Sequence, residues 1–145
     1  MKLYTIGFTK KSAEKFFGLL REAGVKALVD VRLNNVSQLS GFAKRDDLRY
    51  FLSEICGAQY THCTELAPTK EMLDAYKNRG VGWAAYEERF LELMKVRQIE
   101  DIIRREVIDN AVLLCSEDNA RYCHRRLVAE YLAQQWDDVT IEHLA

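Results

Sequence analysis

The sequence holds a single proline, Pro68, among its 145 residues, and its seven glycines are scattered. No linker, low-complexity tract or internal repeat is visible, so residues 1–145 read as one domain. No run approaches about 18 uninterrupted apolar residues, which excludes a membrane-spanning helix. The opening stretch from Met1 to Gly7 reads as a strand, and no signal-peptide apolar run or cleavage site follows it. The expected location is therefore the cytoplasm, with the cysteines reduced. Those four, Cys56, Cys63, Cys115 and Cys123, form no Cys-x-x-Cys pair, so zinc-ribbon and thioredoxin-type motifs are absent. An excess of one charge is missing too. Twenty-one basic residues face 22 acidic ones, a net charge of −1. That excludes a nucleic-acid or membrane binder driven by bulk charge, but leaves room for a small basic site.

What is present suits a globular domain. Hydrophobic residues make up 48% and charged residues 30%, unlike a disordered chain. A chain of this length buries about two-thirds of its unfolded surface.

The pattern alternates strands and helices. Leu3–Ile6 and Val25–Val31 read as buried strands. Between them Ser12 caps a helix through Ala23, stopped by Gly24. Asn34 to Lys44 reads as an irregular loop, and Asp46 or Asp47 caps a helix to Cys56, closed by Gly57. Gln59–Cys63 is a short strand, followed by helices over Lys70–Lys77, Trp83–Lys95 and Gln98–Val107. Ala111–Cys115 is a fourth strand, Asn119–Gln135 a long helix, and Val139–Leu144 a closing strand. This order predicts a three-layer α/β/α, Rossmann-like domain with a mostly parallel sheet of about five strands.

Such sheets bind ligands beyond the carboxyl ends of their strands. The polar residues expected there are Gly7 and Thr9, Asp30 and Arg32, then Cys115, Ser116 and Glu117, with Cys123, His124 and Arg125 on the next helix. Asp30 and Arg32 share one strand face. Either Arg32 binds an anion while Asp30 orients it or handles a proton, or the two form a structural ion pair. Cys115 before a helix can feel the helix dipole and become a nucleophile, although Glu117 and Asp118 oppose a thiolate. The alternative is a buried structural cysteine. The segment is neither a Walker loop nor a Cys-x-x-x-x-x-Arg loop.

At about 100° per residue, Ala120, His124, Leu127, Val128 and Tyr131 share a helix face, which turns His124 toward the sheet. His124 then acts as an acid/base or sits as a satisfied core-edge histidine. Cys123 and His124 would point about 100° apart, so joint chelation is disfavoured and no metal site is assigned. Arg121, Arg125 and Arg126, with Lys44, Arg45 and Arg49, are either an anion-attracting rim or solvated surface. Trp83, Tyr86 and Phe90 recur at helical spacing, as core or as a base-stacking platform.

Thr5-Ile6-Gly7, Asp30-Val31-Arg32, Cys115-Ser116-Glu117 and Cys123-His124-Arg125 together resemble domain-of-unknown-function family 488. The last two blocks, a Cys-x-Glu, a short spacer and a Cys-His-Arg, are the most specific. The resemblance spans essentially the whole chain and implies a small cytosolic prokaryotic α/β protein without an established activity. It marks Gly7, Asp30, Arg32, Cys115, Glu117, Cys123, His124 and Arg125 as signature positions. Many relatives carry Gly-His-Ser after the first strand, where this chain has Gly7-Phe8-Thr9, so no histidine acts there. Many also carry a proline soon after the strand-two arginine, where this chain reads Leu33-Asn34-Asn35-Val36-Ser37.

The expected function is a small enzyme acting on an anionic, phosphate-bearing substrate such as a nucleotide or nucleic acid. Cys115, Glu117, His124 and Asp30 are its catalytic candidates; Gly7, Thr9, Arg32, Cys123 and Arg125 are its substrate-binding candidates. No cofactor is assigned, and no membrane partner is expected. The alternatives are a non-catalytic nucleotide, nucleic-acid or protein-binding module and a thiol redox sensor using Cys115 and Cys123.

Overall fold

Three of the expected strands carry apolar residues on both faces, the signature of a parallel sheet covered on both sides. The computed structural model describes residues 1–36 and 41–145 and bears this out. Strands β1 (Lys2–Gly7), β2 (Ala27–Asp30), β3 (Gln59–His62), β4 (Ala111–Cys115) and β5 (Thr140–His143) form one sheet in the order β3-β2-β4-β1-β5. Every pairing is parallel. The fold class is a single α/β sheet with helices on both faces.

Right-handed crossovers explain the layers. The chain moves one way across the sheet from β1 to β2 to β3, placing α1 (Ala13–Ala23) and α2 (Arg45–Phe51) on one face. Phe16, Phe17, Leu20, Leu48 and Leu52 pack there against Tyr4, Ile6, Leu28, Val112 and Leu114. It then moves back, placing α3 (Lys70–Asn78), α4 (Trp83–Arg97), α5 (Ile99–Ile102), α6 (Arg105–Ile108) and α7 (His124–Gln135) over the other side. Phe90, Met94, Leu127, Val128 and Leu132 cover Leu3, Val29, Leu113 and Cys115. The alternation of Val112 and Leu114 with Leu113 and Cys115 between these cores is the two-residue strand period.

Local signals hold where no tertiary demand competes. The Ser12 side chain accepts from the Lys15 amide, and Gly24 closes α1 at φ +70°. Other boundaries move. Lys44, without a side-chain cap bond, precedes α2, and Asp46 and Asp47 lie in its first turn instead of capping it, where their charge suits the helix dipole. The helix then continues as a π-turn, Leu52–Cys56, before Gly57. The helix expected over 98–107 is two short ones. Ile99 and Ile108 are both fully buried, yet residues nine apart on one α-helix face opposite sides. An extended step at Ile103 and Arg104 brings both to the core. Part of the loop expected from Asn34 to Lys44 lies outside the described residues; its end, Gly41–Ala43, is a 3-10 turn. No described helix is long and apolar enough to cross a membrane.

The break that matters for function is at Cys123. The helix expected from Asn119 begins only at His124, after a 3-10 turn at Ala120–Tyr122. Cys123 is extended, at φ −133° and ψ 138°.

Candidate functional site

β4 lies between β1 and β2, so Cys115 ends the central strand of the sheet. The helices leaving β1 and β4 pack on opposite faces, which opens a crevice at this edge. The segment after Cys115 is held from below. Thr9 donates to the Ser116 carbonyl from both its amide (3.0 Å) and its Oγ1 (2.6 Å). Lys11 pairs with Asp118 at 2.8 Å. Arg125, only 1% exposed, donates to the Glu117 and Asp118 carbonyls and to Thr5 Oγ1. Gly7 fits beneath, since a Cβ there would lie 1.6 Å from the Glu117 carbonyl oxygen.

On this braced edge Cys115, Cys123 and His124 converge. All are buried, and Cys115 Sγ, Cys123 Sγ and a ring nitrogen of His124 lie within 4.8 Å of one another. His124 Nε2 is 2.7 Å from the Val31 carbonyl, which can only accept, so that nitrogen carries a proton. Cys115 Sγ lies nearly as far from one ring nitrogen as from the other, 3.4 Å from Nδ1 and 3.6 Å from Nε2. Burial pushes the Cys115 thiol up. The hydrogen bond from Cys123, the Ser116 amide and the charge of Arg125 outweigh this and hold it below the ordinary value. Cys123 is pushed well above that value by donating to Cys115 and by its own burial. The disfavoured joint placement of Cys123 and His124 rested on both being helical. With Cys123 extended, the 100° divergence disappears, and these three residues could hold a metal.

Beside them Arg32, 3% exposed, meets the Asp30 carboxylate with two parallel bonds, Nε to Oδ1 at 2.8 Å and Nη2 to Oδ2 at 2.7 Å. The Tyr60 hydroxyl donates to the same carboxylate at 2.6 Å and accepts from Asn35 Nδ2 at 2.9 Å. Burial and the Asp30 charge push Tyr60 up to about 12. Arg32 Nη1 is left over. Among the described residues it is the one buried side-chain nitrogen or oxygen without a hydrogen-bond partner.

Arg32, Cys115, Glu117, Cys123 and His124 line a cavity of about 360 Å³. Its far wall is aromatic: Trp83 lies 5.6 Å from Tyr76, 5.2 Å from Tyr86 and 5.7 Å from Tyr122, ring centre to ring centre. Lys77 sits at the rim.

A family model described as "Domain of unknown function DUF488" matches residues 12–132. The chain belongs to this family. No curated protein and no solved structure matches it. The DUF488 match covers the Asp30, Arg32, Cys115, Glu117, Cys123, His124 and Arg125 positions and leaves Gly7 and Thr9 outside it.

Of the two arginines expected to clamp an anion in this DUF488 chain, Arg32 alone lines this cavity. Arg125 does not line the cavity, because its donors are taken by Thr5, Glu117 and Asp118. Gly7, Thr9 and Asp30 do not line it either. Of the outer cations, Arg126 pairs with Glu87 and Glu130 and Arg45 with Asp46, while Arg121, Arg125 and Arg126 line a separate cavity with Asp118 and His143. Trp83 and Tyr86 pack with the core, as expected, and also line the cavity. Sequence reasoning missed Tyr60 and Asn35, whose place depends on the β2–β3 register, and Tyr76, Lys77 and Tyr122. The density of aromatics between Tyr76 and Phe90 was the readable signal for that wall.

Proposed function

We propose that this cavity binds a small anionic substrate of nucleotide size and acts on it chemically. The single observation that carries the reading is Arg32 Nη1, a buried cationic donor without a hydrogen-bond partner, on a residue that lines the cavity. A buried donor left unpaired costs about 1–3 kcal/mol, and more for a charged group. A phosphate or carboxylate oxygen would satisfy it, as guanidinium groups commonly do. Lys77 at the rim adds attraction. The faces of Trp83 and Tyr122 offer stacking to a planar group such as a base. The volume lies within the range of about 300–1,000 Å³ common for small-molecule sites.

In this reading Arg32 anchors the anion, and Asp30 is a positioning residue that holds the guanidinium. Cys115, His124 and Glu117 supply the chemistry. Glu117 is exposed and lines the cavity, within reach of a ligand. Gly7, Thr9 and Arg125 fix the loop that carries Glu117. A second reading, redox sensing through Cys115 and Cys123, is favoured by the proximity of their sulfurs, within 4.8 Å.

The test is calorimetric titration with adenosine monophosphate, ribose 5-phosphate and inorganic phosphate. Arg32→Lys keeps a cation beside Asp30 but removes the fork, and Lys77→Ala removes the rim charge. Binding of adenosine monophosphate that weakens at least tenfold in Arg32→Lys supports the reading. No binding by any probe, or equal binding by the variant, overturns it. Glu117→Gln then separates an enzyme from a binding module: an enzyme keeps binding but loses turnover.

A further inference from the structure

We propose that Cys115, Cys123 and His124 bind a thiophilic divalent cation, zinc first, with its open coordination position facing the cavity. The metal site stands without the anion reading; only the use of its open position rests on that reading.

The donor set comes first. Two thiolates and one imidazole suit zinc, and three protein ligands with a vacant fourth position are the pattern of a reactive zinc site. Tetrahedral zinc, with bonds of about 2.3 Å to sulfur and about 2.0–2.1 Å to nitrogen, sets neighbouring ligand atoms roughly 3.5–3.8 Å apart. Cys115 Sγ already lies 3.4 Å from His124 Nδ1, and the whole trio falls within 4.8 Å. Small side-chain adjustments close the shell.

The second observation is the orientation of His124. A ligating histidine usually donates its other ring nitrogen to a carbonyl or carboxylate, which fixes the tautomer and the ring plane. His124 does this through Nε2, to the Val31 carbonyl at 2.7 Å. That leaves Nδ1 for the metal.

Burial and charge agree. Cys115, Cys123 and His124 are 6%, 2% and 7% exposed, and the Phe90 ring packs 5.4 Å from the His124 ring. Polar groups in such surroundings need partners. Two thiolates cancel a divalent charge, so the loaded site adds no unpaired buried charge. All three ligands line the cavity that also carries Arg32. The vacant position, holding water or a substrate atom, therefore opens where an anion would arrive. The eight-residue separation of Cys115 and Cys123 lacks the spacing of common zinc motifs, and only the extended backbone at Cys123 brings its sulfur to the others.

The experiment uses the whole chain, fully reduced under anaerobic conditions. It is stripped with a chelator and titrated with cobalt(II), then with zinc(II). The expected result is one cobalt per chain with a thiolate-to-cobalt charge-transfer band, displaced by one equivalent of zinc. Cys115→Ser and Cys123→Ser should lose the band. In the unaltered chain, independently of any variant's folding, zinc should slow alkylation of Cys115 and Cys123 and leave Cys56 unchanged, as mapped by peptide mass. No charge-transfer band, with alkylation rates unaffected by zinc, overturns the proposal. Metal binding retained in Arg32→Lys while adenosine monophosphate binding is lost confirms the two sites as separable. Metal binding absent while adenosine monophosphate still binds sinks this inference alone. Metal bound with no anion binding in the unaltered chain sinks the anion reading alone.

Discussion

Gly7→Ala tests how tightly the braced edge is built. The new Cβ would lie 1.6 Å from the Glu117 carbonyl oxygen, 2.5 Å from its carbon and 2.9 Å from Arg125 Nη1. The first two neighbours are backbone and cannot rotate away, so the 116–118 segment must shift. That shift loosens the Arg125 bond to Glu117 and the Thr9 bonds to Ser116. Overpacking a tight site costs about 1–3 kcal/mol, and a weakened hydrogen bond to a charged donor adds about 1.5–3 kcal/mol. The sum is roughly 2.5–6 kcal/mol, centred on about 4 kcal/mol. A domain of this size loses about 3–4 °C of melting temperature per kcal/mol, so a fall of roughly 10 °C or more is expected by circular dichroism or calorimetry. The control is Gly18→Ala in the middle of α1, where a Cβ meets nothing within 4 Å. The same substitution there should stabilise by about 0.5–1 kcal/mol. If Gly7→Ala melts within about 2 °C of the unaltered chain, the close approach is not a constraint and the account of the braced loop is wrong.

Asp30→Asn leaves the buried Arg32 charge without its carboxylate, and should destabilise the fold by about 3–5 kcal/mol in urea unfolding. The double change Asp30→Leu with Arg32→Met should recover much of that stability and still fail to bind adenosine monophosphate. His143 meets Thr5 Oγ1, and partial burial, then the Arg125 charge, hold its pKa below 6.5. The folded chain thus takes up that proton later than the unfolded chain. The His143 contribution is fully present above about pH 6.5 and is lost as the pH falls, so His143→Gln should flatten the decline in stability between pH 7.5 and 5.5; an unchanged slope would refute this. Ser12→Ala removes the acceptor for the Lys15 amide and should cost about 1 kcal/mol, with anion and metal binding unchanged.

Much of this protein is written locally in its sequence. Ala111–Cys115 is apolar throughout and could only be a covered strand; Ser12 and Gly24 carry the start and stop of α1 in their own side chain and backbone freedom. The family resemblance, too, rests on residues adjacent in sequence. These features depend on neighbours a few positions away, so the chain specifies them unaided. The strand order is different. Nothing near β4 says that it lies between β1 and β2, because parallel pairing joins residues about a hundred positions apart and is settled by which apolar faces can be covered together. Everything decisive at the site follows from that insertion. It buries Arg125 under the segment after Cys115, where it serves carbonyls instead of a ligand. It sets Val31 beside His124 and so fixes a proton on Nε2, leaving Nδ1 without that carbonyl. It breaks the last helix at Cys123, because the turn before α7 must deliver both that thiol and the His124 ring to one edge. Residue types and approximate elements came from the sequence by itself. The direction in which each polar side chain points was decided only when distant strands met, since a buried polar group takes whichever partner the finished fold brings within reach.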